Sequence, residues 1–346
     1  LMIHILDEVS GLAFNVKDYV MTAEDANHFT VILPFRLGAV VKYRYARQGD
    51  STIQEHLSDG RPVRYRLYHV EGPGIVQDTI SRWTDTNYSG TTGRITGQIK
   101  NTINGQPIPN LLLTAGGAQV LTRADGSFMI EGLPPGIHNL VAYAMDGRYN
   151  TYQQGANVVS DSTTPASFNL SPTTVVPVVF YVTVPETTPL DATLRMAGNL
   201  SQLGNTYADL AGGVSVLASK MPVLTRMPDG RYTATINLPV GVDIEYKYSL
   251  GDGLWNAEHS ADGTMTIRHL TISDPTPQLS DTVANWGTIQ MAPIRFDVTV
   301  PAHTLASEGI SIQFNPGFGW LQPLPMWQAV SPQGTQIWRF VLISPL

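Results

Sequence analysis

"RYTATINLPVGVDIEYKYSL", residues 231–250, decides the fold. Tyr232, Ala234, Ile236 and Leu238 fall on one side of an extended chain, and Thr233, Thr235 and Asn237 on the other. Ile244, Tyr246, Tyr248 and Leu250 then alternate with Glu245, Lys247 and Ser249. A period of two belongs to a strand with one face buried, whereas an amphipathic helix needs a period near 3.6. Both segments therefore read as half-buried strands.

The same signal extends outward. Asp-Gly occurs six times, beginning at Asp59, Asp125, Asp146, Asp229, Asp252 and Asp262. That dipeptide supplies the positive φ that tight hairpins need. No long stretch keeps a helical period. The expected fold is all-β, a rod of tandem immunoglobulin-like or prealbumin-like β-sandwiches.

Composition sets outer limits. The chain has 346 residues, 42% of them apolar and 14% charged, with a net charge of −7. That balance suits a folded chain and argues against disorder. Only five residues are lysine and no basic cluster stands out, so neither nucleic acid nor an anionic membrane surface is an expected partner. There is no cysteine, which excludes disulfides, thiol catalysis and zinc–thiolate sites. The opening "LMIHILDEVS" lacks the basic start of a signal peptide. The longest apolar run, "VVPVVFYVTV" at 175–184, is too short to cross a bilayer as a helix, and no membrane insertion is expected.

An internal repeat organises the chain. Gly38–Trp83 aligns with Gly241–Trp286 without a gap. Tyr43 and Tyr45 meet Tyr246 and Tyr248, Glu55-His56 meets Glu258-His259, Asp59-Gly60 meets Asp262-Gly263, and Leu67 meets Leu270. "DTISRW" at 78–83 meets "DTVANW" at 281–286. "VTVP" at 182–185 returns at 298–301, and "WRFVLISP" at 338–345 resembles "YTATINLP" at 232–239. Three copies of one β unit are expected. The first, 1–85, lacks the opening strand; the second is 178–288; the third, 293–346, covers the first half of a unit. A different unit, 93–171, separates the first two, between short linkers at 84–92 and 171–177 that suit a semi-rigid rod. Either the chain is cut from a longer protein, or its incomplete end sandwiches are completed by another chain, in which case head-to-tail self-association is expected.

In the middle unit Gly105, Pro107, Ile108 and Asn110, then Asp125-Gly126-Ser127-Phe128, then Leu133 to Gly136 follow a family pattern. The segment resembles carboxypeptidase regulatory-like, transthyretin-like domains. That resemblance implies a non-catalytic β-sandwich spacer of secreted and surface proteins. The repeated unit carries "MAGNLSQLGN" at 196–205, "DGRYTATINLPVGVDIEYKYSL" at 229–250, "LWNAE" at 254–258 and "DTVANW". It resembles starch-binding domains, carbohydrate-binding module family 20. The resemblance implies an α-glucan site built on two tryptophans, a lysine and nearby polar groups. Trp255 matches the second tryptophan and Lys247 the lysine. Thr206 and Tyr207 stand where the first tryptophan belongs, which leaves Tyr207 to supply that ring.

The residues support the same picture on other grounds. Trp255 sits in "LGDGLWNAEH", a polar turn that belongs at the surface. A flat aromatic ring packs against the C–H face of a sugar, with polar groups at its rim. Asn256, Glu258 and Lys247, the last on the outward strand face, would meet the hydroxyls. The competing reading makes Trp255 a plug over the end of the sandwich. In the first copy Thr52 and Arg44 take the places of Trp255 and Lys247, so that copy is expected to be structural. Trp83, Trp286 and Trp338 are expected in cores or at sheet edges, and Trp320 and Trp327 in a packed loop.

No catalytic constellation is visible. The eight histidines show no metal-ligand spacing, no Gly-x-Ser-x-Gly elbow exists, and the Asp-Gly pairs lack the spacing of a calcium loop. Neither metal nor cofactor is expected. Two functions are carried forward. One is non-catalytic binding of starch or another α-glucan by an extracellular or cell-surface protein, as a targeting and spacer region of a larger chain such as a glycoside hydrolase. The other is a structural surface or filament-forming sandwich protein without sugar affinity.

Overall fold

The computed structural model describes residues 1–6, 17–47, 53–189, 192–205, 220–250, 257–273, 277–286, 294–304, 309–315 and 323–342. These residues are strands and turns with one short 3-10 turn, Ser201–Leu203. The all-β expectation holds.

The most complete sandwich is the one the opening stretch belongs to. One sheet places Val175–Thr183 between Tyr232–Pro239, antiparallel, and Gln278–Thr282, parallel, with Thr225–Arg226 at the edge. The other orders Leu194–Gly198, Asp243–Leu250 and Arg268–Thr271. Strand alternation turns Val178, Phe180 and Val182 inward against Ile244, Tyr246 and Tyr248, and all six side chains are buried. Burying each apolar side chain of this size contributes on the order of 2 kcal/mol. Pro177 is tolerated because the ladder to Gln278–Thr282 begins only at Val179. The edge that lacks an N–H at Pro177 therefore has no strand to bond.

The middle sandwich pairs a sheet of Ala118–Leu121, Leu112–Ala115, Gly136–Tyr143 and Tyr152–Val158 with one built on Gly93–Asn101. Ser127–Leu133 flanks Gly93–Asn101 on one side; Thr163–Pro165 and Phe168–Leu170 run parallel on the other. The chain passes so close at the break between those two short strands that a Cβ at Gly97 would lie 2.2 Å from the Ala166 carbonyl oxygen. Only glycine fits there.

The first group of strands repeats one sheet of the complete sandwich. Lys17–Val20, Met2–Ile5, Val40–Ala46 and Arg66–His69 lie side by side. Met2–Ile5 pairs with Val40–Ala46 as Leu194–Gly198 pairs with Asp243–Leu250. The repeat is not gapless. Arg66 sits opposite Tyr43, while Arg268 sits opposite the equivalent Tyr246. The expected match of Leu67 with Leu270 is therefore one residue out, and Leu67 corresponds to His269. The slip arises after the Asp-Gly turn and is absorbed before Asp78 and Asp281.

The last strands again form half a sandwich, with Ile294–Val298, Gln336–Leu342 and Trp327–Val330 in one sheet and Ser311–Ile312 paired with Leu324–Pro325.

The outward face of the repeated sheet is covered in both copies. Val40, Tyr65 and Leu67 turn away from the first sandwich and join Leu112, Val141 and Tyr143 of the middle one in a single buried cluster. Gln153 fastens the joint, accepting from the His69 N–H at 3.0 Å and donating to the His69 carbonyl at 2.8 Å. In the complete sandwich Ala197, Met221 and Ile267 turn outward and meet Met326, Phe340 and Leu342 of the last strands. The middle unit also holds the complete one directly: Ser201 N–H donates to the Met145 carbonyl at 2.8 Å, and Gln202 to that of Asp146 at 3.1 Å.

Candidate functional site

Of the five residues marked for sugar contact, the structure describes two, and it places both inside the protein. Tyr207, Trp255 and Asn256 lie outside the described residues, as does Thr52. Lys247 is 1% exposed. The expectation of an outward lysine is corrected: it is on the outward face of its strand, opposite Ala197, but that face is the one covered by the last strands. In the first copy its counterpart Arg44 is half-buried on that face. Lys42 is fully buried, with its ammonium 5.2 Å from the centroid of the Tyr65 ring.

Glu258 is also 1% exposed and does not rim a surface. Its carboxylate accepts the Tyr248 N–H at 3.0 Å and three bonds from Arg268, from Nε at 2.9 and 3.1 Å and Nη2 at 2.7 Å. The other guanidinium nitrogen reaches Asp281 at 3.1 Å. Asp281 in turn accepts from both Tyr246 and Tyr248 hydroxyls, at 3.0 and 2.7 Å. The guanidinium lies 5.4 Å from the Tyr248 ring centroid. Burial pushes the Glu258 carboxyl up, and Arg268 with the Tyr248 N–H pulls it back. Bidentate pairing of this kind satisfies a charge that isolation would make costly.

The first copy builds the same network from the same residue types. Glu55 accepts the Tyr45 N–H at 2.9 Å and bonds from Arg66 at 3.0 and 2.8 Å. Arg66 reaches Asp78 at 2.9 Å, and Asp78 accepts from Tyr43 and Tyr45 at 2.7 and 3.0 Å. Desolvation raises both tyrosine hydroxyls far above their usual range, and Asp78 adds to it. A buried five-residue network in both copies, one of which lacks the tryptophan platform, is part of the scaffold. The sequence exposed four of its members through the repeat. It hid the arginine, because the one-residue slip set Arg66 against His269.

Trp286 is buried and donates its indole N–H to Thr188 at 2.8 Å. Trp83, its counterpart, is half-buried beneath the Arg47 guanidinium, 5.5 Å from the ring centroid. Trp327 and Trp338 are half-buried and pack into the clusters shared with the complete sandwich. Trp320 lies outside the described residues.

One group of metal-ligating side chains comes together among the described residues: Asp243, Glu245 and His269, with donor atoms within 4.8 Å of one another. It lies on the outward face at the end of Asp243–Leu250, where Glu245 and His269 are cross-strand neighbours. His269 Nδ1 sits 3.3 Å from Asp243 and 3.7 Å from Glu245. The first copy has Val40, Lys42 and Leu67 at these positions.

Residues 94–171 match the family model for the carboxypeptidase regulatory-like domain, as their motifs led us to expect. The starch-binding resemblance of the flanking units rests on sequence motifs alone. Comparison with curated proteins finds no match. Among solved structures, a glycoside hydrolase family 15 glucoamylase from Hypocrea jecorina is 20% identical over 34% of this chain and 20% of its own, with a TM-score of 0.25. A streptococcal ancillary pilin is 12% identical over 82% of this chain and 91% of its own, at 0.31. The minor pilin of Streptococcus agalactiae is 10% identical over 61% and 100%, at 0.29. The chain thus spans a fifth of the glucoamylase. At these TM-scores none of the three bears on what the chain does. No helix among the described residues is long and apolar enough to cross a membrane.

Proposed function

We propose that this chain is a non-catalytic, structural segment of an extracellular or cell-surface protein, in which neighbouring sandwiches are locked face to face into a stiff body. The observation that carries this reading is the repeated covering of one sheet face. The same outward face meets the middle unit in the first copy and the last strands in the second. Apolar contacts of this kind resist bending far better than linkers alone. The middle unit's family supports a spacer role, and that resemblance also motivates the location. The side chains picked out for sugar recognition support the same reading, since Lys247 and Glu258 are spent on packing and on the buried network.

Small-angle X-ray scattering on the whole chain tests the proposal. One fixed arrangement of the sandwiches should reproduce the curve. A curve that requires an ensemble of freely jointed units would overturn it.

A further inference from the structure

The outward face of Asp243–Leu250 begins with two carboxylates where the first copy has none. Asp243 and Glu245 stand two residues apart on one face of the strand, and Glu245 lies opposite His269 on its neighbour. In the first copy Lys42 and Leu67 form that cross-strand pair, and Val40 takes the place of Asp243. Val40 and Leu67 are buried against the middle unit, an apolar use of the same positions. The complete sandwich instead sets there three side chains that each offer a metal one ligand atom, and those atoms lie within 4.8 Å of one another.

Asp243 carries a second sign. Its side chain is only 3% exposed. Among the described residues the one donor to its carboxylate is His269 Nδ1, at 3.4 and 3.3 Å from the two oxygens. A buried carboxylate without close donors is costly unless a cation compensates it. A charge-assisted bond from a histidine closes to about 2.7–2.9 Å. His28 does so on Asp25 elsewhere in this chain, at 2.9 and 2.7 Å. His269 stands off both Asp243 oxygens and lies 3.7 Å from Glu245. Ligands about 2.0–2.2 Å from a tetrahedral zinc ion are about 3.3–3.6 Å apart. The spacing of His269 and Asp243 is thus that of two ligands sharing one ion. Asn199 holds the backbone beneath them, donating from Nδ2 to the Asp243 carbonyl at 3.1 Å and accepting the Glu245 N–H at 3.1 Å. The Glu245 and His269 side chains are 15% and 28% exposed, which leaves an entry path from solvent.

We propose that Asp243, Glu245 and His269 bind a divalent transition ion of the zinc type. His269 Nδ1 and one oxygen of each carboxylate are the ligands, and water takes the remaining position. The imidazole selects zinc over calcium and magnesium, which prefer all-oxygen sites. Glu245 closes its slightly longer gap by a small side-chain rotation. The ion neutralises the buried Asp243 carboxylate and ties Asp243–Leu250 to Arg268–Thr271. Zinc binding here is independent of the stiffness proposed above.

Calorimetric titration of the whole chain with zinc chloride tests this. The unmodified chain should show a saturable site that calcium chloride does not compete for. His269→Leu, which brings in the first copy's residue, and Asp243→Asn should each weaken that site at least about tenfold, the loss of a ligand costing no less than the loss of a group that orients one. His28→Leu, at an exposed histidine beside an aspartate, should leave it unchanged. Hydrogen exchange reads the site without any substitution. Zinc at about a hundred times its dissociation constant should slow exchange across Asp243–Leu250 and Arg268–Thr271 by up to about a hundredfold. No saturable binding, binding unchanged in His269→Leu and Asp243→Asn, or exchange in these strands indifferent to zinc would overturn the proposal. Competition by calcium would overturn the choice of a transition ion.

Discussion

Glu258→Ala separates a scaffold carboxylate from a sugar-binding one. In the structure this substitution removes four hydrogen bonds, one from the Tyr248 N–H and three from Arg268, whose Nε is shared between both carboxylate oxygens. It leaves a cavity where the carboxylate was and a guanidinium still held by Asp281 and the Thr282 carbonyl. Breaking a buried ion pair from one side costs roughly 3–5 kcal/mol. The Arg268 side chain keeps 19% of its surface exposed and retains one anionic partner, so the lower end, about 3 kcal/mol, applies. In the first copy the Arg66 side chain is 4% exposed, so Glu55→Ala should lie nearer the upper end. Native-state hydrogen exchange on Asp243–Leu250 reads the loss locally, which matters because several sandwiches need not unfold together. A loss of about 3 kcal/mol speeds exchange there by about a hundredfold. Exchange altered by less than about threefold, well under 1 kcal/mol, would refute the scaffold assignment.

Two further outcomes follow from burial. Phe180→Ala should cost about 3–5 kcal/mol, measured by urea unfolding, because the ring is fully buried and packs edge-on against Tyr246 at a centroid distance of 5.5 Å. A cost near 1 kcal/mol would mean that the core collapses around the loss. His138 is buried, its Nε2 donates to the Pro134 carbonyl at 2.7 Å, and burial lowers its pKa from the usual value. A lowered imidazole binds protons less readily in the fold than in the unfolded chain. Its contribution is therefore full above the unfolded value of about 6.5 and is lost as pH falls through the folded value. The melting temperature of the middle unit should drop between pH 7.5 and 5.5, with part of the drop abolished in His138→Gln; an unchanged slope in that variant would contradict this.

Much of the fold can be read from period and punctuation. The alternation at 232–238 and 244–250 marks the inward faces, since it depends on the pleat alone. The Asp-Gly turns and the repeat place the strand ends. Three things escape such reading, each for a physical reason. Period two identifies the second face of a strand but cannot say whether another unit covers it. Lys247 thus reads as exposed, although a long aliphatic stem lets a lysine lie under a neighbouring sheet. The arginine of the buried network is hidden by a one-residue slip that ladder pairing reveals and a gapless alignment conceals. The first sandwich's thinner core, where Phe35 is 41% exposed and its counterpart Leu238 is buried, escapes a repeat that gives both residues the same period. The role of Trp255 lies outside the described residues, so the polar turn around it remains the ground for reading it.

Electrophoresis of the whole chain through gels cast with soluble starch, beside its Trp255→Ala variant, tests the central claim most directly. A structural segment whose Lys247 and Glu258 serve packing should migrate at the same rate with and without starch, and the variant should migrate alike. Retardation of the unmodified chain by starch, abolished by Trp255→Ala, would contradict the account.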